Sequence, residues 1–136
     1  MRVYQTKVEK LKGTDFVEVR RKAFFIFKQI KKKTKRQPYI RSAYFSKEKV
    51  FLNIFWAHLF EKPSSERLRR LKYFAAAIEL IEHNRFTPTT KTDSNNPRFL
   101  LHRFSGLTKE NEMFYVQIKE DISSQKKYLI SIFPDI

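Results

Sequence analysis

Helices first and an antiparallel sheet last, an α+β fold, is what this sequence predicts, on three observations. Apolar residues recur at three- and four-residue steps as far as about residue 84. A polar connector, RFTPTTKTDSNNPR, follows with loop composition. From residue 98 the apolar period falls to two. At 136 residues the chain is expected to be a single domain (1–136), mainly helical over 1–85 with an antiparallel sheet over 98–134. Fourteen phenylalanines predict a core of largely aromatic contacts.

The first twelve residues read as a short strand or a loose arm. A helix follows from Asp15 to about Lys33, because Phe16, Val19, Ala23, Ile26, Phe27 and Ile30 fall on one stripe, with Thr14 or Asp15 as its N-cap. Gln37-Pro38 breaks it. A second helix is expected over Lys47–Glu61: Val50, Phe51, Ile54, Phe55 and Leu59 line one side, while Leu52, Trp56 and Phe60 cover much of the other. A helix apolar nearly all round is a central one, and its lone His58 reads as a satisfied or half-exposed histidine. Pro63-Ser64-Ser65-Glu66 is a stop and a new start, and the third helix is expected to run to about Asn84 with Leu68, Leu71, Phe74, Ala75, Ile78 and Ile81 inside. Arg67, Arg69, Arg70 and Lys72 crowd its first turns, where cations oppose the helix dipole, a cost that a facing phosphate would offset. Three strands close the chain, Arg98–Ser105, Glu112–Lys119 and Lys126–Phe133, joined by short turn-rich links that suit consecutive hairpins.

Charge points to the partner. Twenty-nine Lys and Arg against fourteen Asp and Glu give a net charge of +15. A field of that size attracts polyanions, and nucleic acid is the default. Between Val19 and Lys47 there is no acidic residue, while eleven basic ones occur. Lys31, Lys32, Lys33, Lys35, Arg36 and Arg41 form the densest part of this run and are candidates for gripping RNA phosphates, together with Arg67 and Arg70. No cysteine is present, so disulfides and thiolate metal sites are excluded, and no apolar run approaches the roughly 20 residues that span a bilayer. The N-terminus lacks the apolar stretch of a secretion signal, so a cytoplasmic location is expected.

Alternation assigns faces to the strands. In the second, Phe114, Val116 and Ile118 face the core, while Tyr115, Gln117 and Lys119 face away. In the third, Tyr128, Ile130 and Ile132 are expected inside, with Leu129, Ser131 and Phe133 outside. The first is ambiguous: either His102 or Arg103 joins the outer face, and its neighbour points at the helices. That outer face mixes aromatic, amide, hydroxyl and cationic groups, and Tyr115 and Gln117 on it are candidates for base contacts.

The scattered acids do not suggest a magnesium cluster, and with two glycines there is no phosphate-binding loop. Neither metal nor cofactor is expected. Metal-free RNA cleavage remains open, because the 2′-hydroxyl of RNA is its own nucleophile and the protein need only move protons and stabilise charge. His102, Arg103, Lys119 and Ser131 are the candidates for those tasks.

The succession LHRFSGLTKENEMFYVQIKED, then KKYLISIFP, over residues 98–134, resembles the phage-associated branch of the barnase–EndoU–colicin–RelE-like nucleases. The resemblance implies helices packed on a small C-terminal antiparallel sheet of RNase/RelE-like type. It also implies a metal-independent ribonuclease of toxin type, often held by an acidic antitoxin. His102 in LHRF, Lys119 in VQIKE and Ser131 in LISIFP look like positions such enzymes use for catalysis or phosphate binding, with Arg103 as the substitute for His102. The alternative is a non-catalytic nucleic-acid-binding protein, or a basic interaction protein of a mobile element.

Overall fold

The structure is a computed structural model and describes residues 2–135. It is a mixed α and β fold of four helices and one seven-stranded sheet. The C-terminal strands form as the period-two pattern predicts: β5 (Phe99–Leu107), β6 (Met113–Asp121) and β7 (Lys127–Pro134) are consecutive antiparallel neighbours.

The sheet is larger than the sequence predicts and is not confined to the C-terminal third. Its extra strands are β1 (Tyr4–Gln5), β2 (Tyr39–Ser42), β3 (Glu48–Phe51) and β4 (Thr89–Thr92). The hairpin of β2 and β3 joins through β3, which runs parallel to β7 with Val50 opposite Lys127 and Phe51 opposite Tyr128. On the far side, β5 carries β4 antiparallel along one half of its edge and β1 parallel along the other. The sheet is therefore mixed, and the region expected to be mainly helical supplies three of its strands.

Helix α1 (Phe16–Lys32) matches the predicted stripe, and the Asp15 carboxylate caps it by accepting from the Glu18 backbone N–H. The expected second helix is shorter: 48–51 form β3, and only Asn53–Phe60 coil into α2. The third is two helices, α3 (Ser64–Leu71) and α4 (Phe74–His83), broken at Lys72–Tyr73. That break changes the meaning of the arginines. Arg69 and Arg70 lie in the last turn of α3, where cations complement the helix dipole rather than oppose it.

The inward face of the sheet presents Phe104, Phe114, Val116, Ile118, Leu129 and Ile132, all buried. α4 lies close to this face: a Cβ added at Gly106 would stand 2.9 Å from a Leu80 methyl and 2.8 Å from the Phe114 ring. Behind it, the Trp56 ring packs against Phe24, Phe27, Phe55 and Phe74 at centroid distances of 5.3–5.8 Å. These rings join α1, α2 and α4, and each fully buried large side chain contributes about 1.5–3 kcal/mol. Among the described residues no helix is long and apolar enough to cross a membrane.

Candidate nucleic-acid interface and cleft

The first strand resolves in favour of Arg103. His102 points inward and is 6% exposed, whereas Arg103 is exposed on the opposite face. His102 is fully engaged there: its Nδ1 lies 2.8 Å from Thr90 Oγ1, its Nε2 lies 2.8 Å from Glu120 Oε1, and its ring packs against Phe45. Lys127 Nζ, also buried, extends the network to Glu120 and Glu48. His102 is thus separated by the sheet from the other expected catalytic groups.

On the outer face, Arg103, Gln117 and Ser131 stand side by side in cross-strand register. Arg103 Nη2 donates to Gln117 Oε1 at 3.4 Å, and its guanidinium lies 5.1 Å from the Phe133 ring centroid and 5.9 Å from that of Tyr115. A second guanidinium arrives from α3: Arg70 Nη1 donates to Ser131 Oγ at 2.9 Å, and the group lies 5.6 Å from the same Phe133 ring. Glu66, one turn earlier on α3, steadies Arg70 at 3.5 Å. Two cations, a hydroxyl and an amide are thereby gathered around one aromatic ring.

A β-bulge aims these groups. Pairing steps from Gln117–Ser131 to Ile118–Leu129, leaving Ile130 without a partner. The bulge reverses the facing of the strand's first half. Leu129 and Lys127 turn inward and Tyr128 turns outward, contrary to strict alternation, while Ser131 and Phe133 remain outside as expected.

Beside Ser131 is a cleft of about 230 Å³ lined by His58, Lys62, Arg70, Gln117 and Ser131, with Phe55, Leu59, Ile130 and Ile132 as its apolar part. α2 supplies the exposed His58. The sequence suggested no functional role for this histidine, because it sits in a helix whose apolar pattern dominates. The one signal in its favour was its polarity on an otherwise apolar helix.

The remaining expected residues divide. Lys119 faces outward but is set apart, 4.3 Å from the Phe99 ring centroid and 3.9 Å from the Asp93 carboxylate. Tyr115 donates to Asp135 at 3.2 Å, and burial with that carboxylate pushes its phenol above the ordinary value, which keeps it a hydrogen-bond donor. Arg67 donates to the carbonyls of Lys62 and Phe60 at 2.7 and 3.0 Å and so closes the end of α2, a structural duty. Lys31 and Lys32 end α1, Lys33, Lys35 and Arg36 follow in the loop, and Arg41 lies on β2; all are exposed.

Among the described residues no three His, Asp or Glu side chains come together in a way that could hold a metal ion. Compared with known protein families, with curated proteins and with solved structures, the chain finds no match in any of the three.

Proposed function

We propose that the protein binds RNA across the outer sheet face and cleaves it in the cleft as a metal-independent ribonuclease. The observation that carries this reading is the convergence of Arg70 and Arg103 around Ser131 and Gln117, beside His58 in a cleft open to solvent. Guanidinium groups match phosphate oxygens bidentately, and a preorganised pair stabilises the charge that builds on phosphorus during attack. The net charge of +15 brings the substrate to the surface.

The reaction needs few parts. The 2′-oxygen attacks the adjacent phosphorus and the bond from phosphorus to the 5′-oxygen breaks, leaving a 2′,3′-cyclic phosphate and a free 5′-hydroxyl. The proton of the 2′-hydroxyl passes to the His58 imidazole, histidine being the side chain that most often moves protons in catalysis. Water supplies the proton taken by the leaving oxygen. Arg70 and Arg103 hold the phosphate, and Ser131 and Gln117 orient it. His58 replaces His102 in this scheme, since His102 lies on the buried face.

This is the activity that the resemblance to barnase–EndoU–colicin–RelE-like nucleases implies, and an RNase/RelE-like arrangement of sheet and cleft belongs to the same proposal. A toxin of this kind acts in the cytoplasm and is restrained by an acidic partner protein.

The test is a denaturing gel of RNA incubated with the protein in excess EDTA. Cleavage is expected for the wild type and for folded His102→Ala, and at least a hundredfold slower cleavage for His58→Ala and Arg70→Ala. Intact RNA with wild-type protein, still retarded on a native gel, would make this a binding protein without catalysis.

A further inference from the structure

Farther along the same outer face, beyond the bulge, three aromatic side chains form a row across three strands. Tyr39 of β2, Phe51 of β3 and Tyr128 of β7 are register partners, with centroid distances of 6.1 Å between the first two rings and 5.9 Å between the last two. All three are half-buried, so each ring keeps part of its surface in water. The buried core lies on the other face of the sheet.

Cations surround the row. Lys49 Nζ lies 4.6 Å from the Tyr39 ring centroid and the Arg41 guanidinium 5.5 Å from it. A groove of about 680 Å³ opens against Tyr39 and Phe51, and its wall includes five cations and no carboxylate: Lys49, Lys126, and Lys33, Lys35 and Arg36 from the α1–β2 loop. Rings side by side with unneutralised cations are the pairing that single-stranded nucleic acid requires, since bases stack on the rings while phosphates lie against the charges. A duplex offers phosphates but keeps its bases stacked within the helix.

We propose that Tyr39, Phe51 and Tyr128 form a base-stacking platform for single-stranded RNA, continuous with the cleft. Tyr128 and Ser131 lie on the same face of β7 three residues apart, which sets the rings and the Ser131 edge of the cleft along one strand. The platform selects unpaired RNA and holds the nucleotides flanking the cleavage point. This rests on the reading of RNA as the ligand.

Fluorescence anisotropy of labelled oligonucleotides tests it, with Tyr39→Leu, Tyr128→Leu and the surface pair Lys49→Gln/Lys126→Gln compared with the wild type. Each ring variant is expected to lose about tenfold in affinity for a long single strand. Affinity for a duplex of the same sequence, and cleavage of a short substrate that fills only the cleft, should not change. The double lysine variant, which leaves all three rings in place, should lose affinity for the single strand as well. Unchanged single-strand affinity in folded ring variants, or equal loss for duplex, would overturn the platform while leaving RNA cleavage standing. Failure of the wild type to bind any RNA would overturn both. Loss of polyglutamate binding in the ring variants, with RNA binding intact, would assign the row to an acidic protein and overturn the proposal.

Discussion

At the scale of single residues, the adjacent pair His102-Arg103 shows how one peptide step separates two tasks. Alternation along β5 sends one side chain to each face, and the outcome follows from what each can tolerate. An imidazole between a threonine hydroxyl and a glutamate is satisfied, whereas a guanidinium there would set a second full cation against buried Lys127 in competition for Glu120. His102 is therefore expected to be a structural residue. His102→Ala would leave Thr90 and Glu120 without their partner and weaken the restraint on buried Lys127, at a cost of about 1–3 kcal/mol by denaturant unfolding. RNA binding by the folded fraction should be unaltered. A variant as stable as the wild type but inactive on RNA would return His102 to the reaction.

At the scale of elements, the β6–β7 turn is held by side chains rather than by glycine. Asp121 accepts from Arg98 Nε and Nη2 at 2.9 and 2.8 Å and from the Ser123 backbone N–H and hydroxyl at 3.0 and 2.8 Å, so it ties the start of β5 to the turn. Arg98 first, then Ser123, hold its carboxyl well below the usual carboxylate range despite the opposing effect of desolvation. A carboxyl depressed in the folded state adds stability that is complete above its unfolded value and is lost as pH falls toward the folded one. The stability gap between the wild type and Asp121→Asn should thus be widest above about pH 5 and close progressively in acid. A gap that stays constant with pH would show that the charge contributes nothing. Gln125 completes this turn with φ at +63°, a conformation that glycine ordinarily supplies. The same feature hid β2 and β3 from the sequence: Ser46 and Lys47 adopt φ of 55° and 66° in their hairpin. Val50 and Phe51 fit a helical stripe as well as a strand, and only pairing with β7 decides between them. The long elements, α1 and β5 to β7, were legible because their periods persist over many residues. The bulge was not, since Leu129 and Ile130 are interchangeable in hydrophobicity and differ only in register. Nor was the cleft, because Arg70 and Ser131 are 61 residues apart in the chain and are joined only by the folding of α3 against β7.

At the scale of the whole molecule, buried apolar side chains fill one face of the sheet, and the other presents rings, amides and cations beside a few carboxylates. Charge and shape then have separable roles. Phosphate contacts release counterions, so each contributes to the salt dependence of binding, whereas stacking on Tyr39, Phe51 and Tyr128 does not. Arg36 and Lys126 wall the groove without a carboxylate beside them, while Lys22 on α1 is already engaged by Glu18 at 3.6 Å and by the Lys12 carbonyl at 2.7 Å. A plot of log affinity for single-stranded RNA against log salt should therefore be steep for the wild type. Neutralising Arg36 or Lys126 to glutamine should reduce its slope by about 0.7 each, the value for one phosphate contact on a single strand. Lys22→Gln should leave the slope unchanged, and the ring variants should lower the line without tilting it. If Lys22→Gln flattens the plot as much as Lys126→Gln does, the protein binds through its diffuse net charge rather than through the outer sheet face. In that event the groove and the rings would carry no special part of the affinity, and RNA would have no preferred path into the cleft.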